Sequence, residues 1–127
     1  LLKQAHIVSL HCAVTPETES LINAERLAQM RDGATLINTA RGELVDEAAL
    51  HEALVSGKLA GAASDVFRHE PPTGSPLLAL DNFIATPHVA GATSEAMKRM
   101  ATDLAEEIVR VLSGERPLYP VNPEVYE

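Results

Sequence analysis

Residues 35–66 read TLINTARGELVDEAALHEALVSGKLAGAASDV, and this stretch decides the fold. Thr35-Leu36-Ile37-Asn38 is a short apolar run with strand character. Asp46 stands where a helix N-cap is wanted, Leu50 and Leu54 lie one turn apart, and Ser56-Gly57 ends the pattern. Ala60 to Val66 is a second strand, rich in small residues. Strand, helix and strand joined by short connections make a βαβ unit, which implies a right-handed crossover and a parallel sheet.

The same alternation extends in both directions. Upstream, His6 to His11 reads as a strand, and Asn23 to Met30 as a short helix with Asn23 as N-cap and Gly33 as stop. Downstream, a loop carries Pro71, Pro72, Gly74 and Pro76. Ser75-Pro76 looks like an N-cap followed by a proline at the first helical position, opening a short helix through Leu80. Phe83-Ile84-Ala85-Thr86 reads as a fourth strand. Met97, Met100, Ala101, Leu104, Ala105, Ile108, Val111 and Leu112 then recur at spacings of three and four, which predicts a long helix. Thr93 or Ser94 caps it, Gly114 ends it, and at about 1.5 Å per residue it spans close to 30 Å. Its Met and Leu stripe is read as core or subunit interface. The tail, with Pro117, Pro120 and Pro123, is expected to run extended. The sequence carries no internal repeat and no low-complexity segment.

Composition sets bounds on this plan. The 127 residues are 46% apolar and 3% aromatic, enough for one domain with a core built from Leu, Ile, Val and Ala. Eighteen acidic against ten basic residues give a net charge of −8, which argues against nucleic acid or an anionic membrane as partner. Cys12 is the single cysteine, so no internal disulfide forms, a pattern that fits a reducing cytoplasm. No apolar run approaches the roughly 20 residues of a membrane span, and no signal peptide is recognisable. The chain does not begin with Met, and Leu1 to Ala5 reads as the end of a helix already under way, so a longer polypeptide is expected.

Ligands of parallel α/β sheets bind outside the carboxyl ends of the strands. The residues there are His11-Cys12, Thr39-Ala40-Arg41, Asp65 and His88. Arg41, Glu70 and His88 are expected to converge on one cleft. An Arg fork matches a carboxylate in two-point contact; the plainer reading is a surface Arg paired with Glu43 or Asp46. Gly42 lets the backbone turn sharply or approach a ligand. His88 can exchange a proton near neutral pH, or simply cap the final helix. Glu70 before Pro71-Pro72 is a solvated loop residue unless it reaches His88, where a carboxylate would favour the charged ring and fix its tautomer. Asp65 follows Gly61-Ala62-Ala63-Ser64, small residues that permit close approach of a flat ligand; it either accepts from that ligand's amide or ribose, or caps the next turn. His6, His51 and His69 have no partners at metal-ligand spacing, so no metal is expected. Ser9 and Ser64 lack a nucleophile-elbow context. No Gly-x-Gly-x-x-Gly follows a strand.

Longer motifs go beyond spacing. Leu10-His11, Thr15-Pro16-Glu17-Thr18, NTARGELVDEAAL over 38–50, GAASDVF over 61–67, Glu70-Pro71-Pro72 and Pro87 to Thr93 (PHVAGAT) run in one order along nearly the whole chain. In them the sequence closely resembles the D-isomer-specific 2-hydroxyacid dehydrogenases. The resemblance implies an α/β fold: the second half of a Rossmann-type sheet with flanking helices over residues 1–92, then a long helix and tail over 93–127 returning to a substrate domain. By the same resemblance Arg41 matches the substrate-carboxylate arginine, and Glu70 and His88 the carboxylate–imidazole acid/base pair. Asp65 matches the aspartate contacting the nicotinamide carboxamide. Cys12, Thr39, Ala40, Arg41 and the stretch His88, Val89, Ala90 and Gly91 match positions lining the dinucleotide. Cys12 departs from the Pro or Thr often found there, which leaves a backbone contact intact but removes a hydroxyl.

The implied cofactor is NAD, with NADP as the variant. The implied partners are a small 2-hydroxy or 2-oxo acid and a second copy of the chain in a homodimer. A competing reading from the same resemblance is a dinucleotide-responsive corepressor-type module. Taken alone, the 127 residues are expected to be inactive, because the family's glycine-rich loop precedes the matched part.

Overall fold

In a computed structural model that describes residues 1–126, four strands form one parallel sheet in the order β1-β2-β3-β4. They are β1 (Ile7–Leu10), β2 (Ala34–Asn38), β3 (Leu59–Ser64) and β4 (Phe83–Ala85). Leu10 pairs with Asn38, Asn38 with Ser64 and Ser64 with Ala85. The four carboxyl ends therefore lie in register along one edge. Two helices connect the first three strands: α1 (Ala24–Gln29) and α2 (Glu47–Val55), which pack against each other.

The caps expected from the sequence do form. The Asn23 side chain accepts from the Arg26 N–H, and Asp46 accepts from the N–H groups of Ala48 and Ala49, both at 3.1 Å. Each supplies an acceptor to donors that the first helical turn leaves without partners. Ser75 differs: its hydroxyl makes no capping bond and is buried without a partner, and the segment it precedes, Pro76–Ala79, is a 3-10 turn. Strand β3 also ends two residues early, so Asp65 and Val66 lie beyond the ladder. At the amino end Leu1–Ala5 closes a single turn, with Ala5 N–H donating to the Leu1 carbonyl.

The chain divides into two compact units, residues 1–90 and residues from Gly91 onward. In the first, side chains alternate along the strands. Val8, Leu10, Leu36 and Ala62 enter the core, while Ile7 and Ile84 on the other face are 63% and 66% exposed. Leu27, Met30, Leu44, Leu59 and Leu77 complete the filling. The expectation of an all-aliphatic core is corrected here. Both phenylalanines of the sequence are buried, and Phe67 meets Phe83 edge to face at 6.2 Å. Ring pairs of this geometry add about 1 kcal/mol to the area they bury.

The second unit is built on α3 (Ser94–Leu112). Thr93 caps its start by accepting from the Ala96 N–H. Its end is a Schellman motif: Glu115 N–H donates to the Arg110 carbonyl, Gly114 N–H to the Val111 carbonyl, and Gly114 adopts φ +80°, a conformation glycine takes without strain. None of the helix's residues is buried, so the Met97–Met100–Leu104–Ile108 stripe is not core here. The tail is not simply extended. Leu118 N–H donates to Glu107 at 2.8 Å, and Pro123–Tyr126 forms a 3-10 turn. Proline opens such a turn readily, because the first N–H of a helix needs no internal acceptor. No helix among the described residues is long and apolar enough to cross a membrane.

A candidate active site at the carboxyl edge of the sheet

The register of the sheet brings the ends of β1 to β4 side by side, and each end delivers a different group. After β2, Asn38 folds the chain into a tight loop. Its Oδ1 accepts from the Ala40 N–H at 3.1 Å and its Nδ2 donates to the Arg41 carbonyl at 2.8 Å. Asn38 is buried. Sequence reasoning took it only as a strand residue, although an Asn bonding to backbone two and three residues on is ordinary Asx-turn chemistry.

Arg41 then projects from an extended backbone with one N–H donated to the Ala40 carbonyl at 2.7 Å. It lines a hollow of about 550 Å³ with His11, Cys12, Ala13, Val14, Thr39, Ala40 and Glu43. In the same hollow, His11 Nε2 lies 2.8 Å from the Ser9 hydroxyl, a pairing the sequence reading did not foresee.

A second hollow, of about 360 Å³, is lined by Asp65, Phe67, Glu70, Pro71, Pro72, Thr86, Pro87 and His88. Here Glu70 reaches His88, with Oε2 2.8 Å from Nδ1, while its Oε1 accepts from the Phe67 N–H at 2.9 Å. Glu70 is therefore not a free loop residue. The hydrogen bond with His88, followed by that from Phe67, holds its carboxyl below the usual glutamate range. An ionised carboxylate can only accept, so the proton of this pair sits on Nδ1 of the ring.

His88 has φ +54°, the left-handed region where a residue with a β-carbon costs of order 1–3 kcal/mol and is found where surroundings impose it. Asp65 imposes it. The Asp65 carbonyl accepts from the His88 N–H at 2.9 Å. Its carboxylate takes the N–H of Val89 at 2.9 Å on Oδ1, the N–H of Ala90 at 2.8 Å on Oδ2, and the Thr86 hydroxyl on Oδ1. Asp65 is 4% exposed. Burial alone would raise its pKa, but the bonds from Thr86, Ala90 and Val89 prevail and lower it. The turn-capping alternative for Asp65 is thus present in the structure.

Arg41 lines the first hollow, with its guanidinium donating to the Ala40 carbonyl, and Glu70 and His88 line the second, where they meet. Gly42 makes neither a sharp turn of positive φ nor an opening toward a ligand; the protein's own backbone fills the space a side chain would need. Val89 and Ala90 have their N–H donors engaged by Asp65. Gly91 opens the second unit and is exposed. Among the described residues no group of three or more His, Cys, Asp or Glu is placed to hold a metal ion.

Comparison with known proteins gives this edge a context. Residues 1–90 match the family described as D-isomer specific 2-hydroxyacid dehydrogenase, NAD binding domain. The chain is 52% identical over 126 residues to a glyoxylate reductase of Thermofilum pendens, covering 98% of this chain and 37% of that protein. It is similar to the crystal structure of D-lactate dehydrogenase with NAD+ from Lactobacillus jensenii, with a TM-score of 0.85 and 36% identity over 94% of this chain and 40% of that one. It is also similar to a D-isomer specific 2-hydroxyacid dehydrogenase from Xanthobacter autotrophicus Py2 in complex with NADPH, with a TM-score of 0.79 and 46% identity over 99% of this chain and 52% of that one. The chain spans between 22% and 38% of the length of the curated relatives it matches.

Proposed function

This chain belongs to the D-isomer-specific 2-hydroxyacid dehydrogenases through their NAD-binding domain, and from that premise we propose that it carries the proton-transferring side of a reversible conversion between a 2-hydroxy acid and a 2-oxo acid. The observation that carries the proposal is the Glu70–His88 pair. With Glu70 ionised and bonded to Nδ1, Nε2 is the ring nitrogen left to exchange a proton. In the reducing direction Nε2 donates to the carbonyl oxygen of the 2-oxo acid. In the oxidising direction it takes the hydroxyl proton. Glu70 keeps the ring oriented and stabilises the imidazolium whenever it forms.

Arg41 is the proposed carboxylate grip. One of its five N–H groups is held by Ala40, and the others can meet a carboxylate in two-point contact. Arg41 and His88 would then act on adjacent carbons of one 2-oxo acid, the first on its carboxylate and the second on its carbonyl oxygen.

The residues present suit a nicotinamide dinucleotide in their donor chemistry. Cys12, Ala13 and Ala40 give the first hollow small walls and Thr39 gives it a hydroxyl, so Cys12, Thr39 and Ala40 would hold the nicotinamide half. Asp65 Oδ2 accepts one N–H, from Ala90, and retains capacity for a carboxamide donor. When bound, the nicotinamide supplies or accepts the hydride.

In a polypeptide of the relatives' length carrying this sequence, glyoxylate or hydroxypyruvate should consume NADH. Arg41→Lys keeps the charge but loses the fork, so KM should rise roughly tenfold with a smaller change in kcat. An unchanged KM would remove Arg41 from the carboxylate site. The 127 residues alone contain no Gly-x-Gly-x-x-Gly, and in an NADH fluorescence titration they should bind weakly. Tight binding would contradict this division of the site.

A further inference from the structure

We propose that Gly42 is a positioning residue for the acid–base pair: by having no side chain, it lets the Phe67–Arg68 backbone sit where the Phe67 N–H holds Glu70. This rests on the reading of Glu70 and His88 given above. A β-carbon at position 42 would lie 2.0 Å from the Phe67 carbonyl carbon and 2.3 Å from both the Phe67 oxygen and the Arg68 nitrogen. These are backbone atoms, with no flexible end to swing aside.

The dipeptide is gripped from other directions as well. The Phe67 ring is buried against Phe83. The Arg68 N–H donates to Glu47 Oε1, in the first turn of α2, at 2.8 Å. Phe67 N–H, at 2.9 Å from Glu70 Oε1, is therefore a donor fixed by packing, and the same carboxylate reaches His88 through its other oxygen. A side chain at 42 forces either the Phe67–Arg68 backbone or the Arg41 loop to move. The first movement takes Glu70 off Nδ1. The second displaces the guanidinium. The carboxylate-binding loop and the acid–base loop are thus set against each other at one glycine.

The test has two readouts on Gly42→Ala. The first is nitrogen NMR of the His88 ring in the 127-residue chain, assigned by the loss of its signals in His88→Ala. The wild type should show the proton on Nδ1, and Gly42→Ala a mixture of ring tautomers. The second is steady-state kinetics in the longer polypeptide. There kcat should fall at least about tenfold, within the ~10²-fold that a 1 Å misplacement can cost, and any accompanying rise in KM for the 2-oxo acid reports movement of the Arg41 loop. Should Gly42→Ala fail to fold, the same readouts on Glu47→Ala decide, since that change frees the Arg68 N–H without crowding the loop. If Glu47→Ala loosens the tautomer and lowers kcat, Glu47→Gln, which keeps an acceptor, should restore both. An unchanged tautomer or an unchanged kcat overturns the inference. A wild-type ring with no proton on Nδ1 would instead overturn the acid–base reading itself.

Discussion

In a polypeptide of the relatives' length, replacing His88 with Ala should lower kcat for the 2-oxo acid by roughly 10²- to 10⁴-fold, the range over which a positioned acid or base contributes, and should leave KM within a few-fold. The expectation follows from the geometry of one ring. Nδ1 is engaged by Glu70 at 2.8 Å, so the chemistry falls to Nε2, and no other imidazole lines the same hollow. Ala also removes a residue that sits at φ +54°, so a loss of turnover could come from the backbone as well as from the proton. His88→Asn separates the two, because Asn tolerates the left-handed region but cannot exchange a proton at neutral pH. Both variants should lose turnover to the same degree. Glu70→Gln should lose less, since an amide still reaches the ring but no longer stabilises its cation. Following NADH absorbance at saturating substrate measures all three. A His88→Asn enzyme with near wild-type kcat would show that the ring only shapes the loop.

The sheet edge was legible because strand and helix periodicities are local. Thr35 to Asn38 and Ala60 to Val66 announce strands, and Asp46 with Leu50 and Leu54 announces the helix between them. Parallel connection then fixes which strand ends are neighbours, which is why Asp65 and His88 could be singled out without a contact map. What the sequence hid depends on approach distances. Nothing in Arg41-Gly42 says that the glycine faces Phe67 and Arg68, 25 and 26 residues along the chain, rather than a ligand. The role of Phe67 resides in its backbone N–H, which every non-proline residue carries. Asp65 offered two roles of equal standing, and only the placement of Thr86, Val89 and Ala90 around its carboxylate shows that it builds the loop. The amphipathic stripe of α3 was read correctly as a helix face, but burial is a property of what packs on that face, and no residue of the helix is buried.

Asp65→Ala should cost about 3 kcal/mol of stability in urea unfolding of the 127-residue chain. Hydrogen bonds to a charged acceptor contribute about 1.5–3 kcal/mol each, and this carboxylate accepts three. The sum is discounted because Val89 and Ala90 are exposed and their N–H groups can turn to water. The loss should also depend on pH, with a definite sign. The carboxyl of Asp65 is lowered in the folded state, with burial opposing and the bonds from Thr86, Ala90 and Val89 prevailing. A group lowered on folding contributes fully above its unfolded value, about 3.9 for Asp, and loses that contribution as pH falls through the folded value. The gap between wild type and Asp65→Ala should therefore be constant from neutral pH down to about 5 and narrow below about 4. Amide exchange at His88, Val89 and Ala90 should quicken in the variant before exchange in β2 does, because the loop loses its anchor while the core around Leu36 and Leu59 stays intact. A stability change below about 0.5 kcal/mol, the range of an ordinary surface substitution, would mean that the left-handed turn at His88 holds itself. Its strain would then have to be offset by Glu70 and the substrate hollow rather than by Asp65.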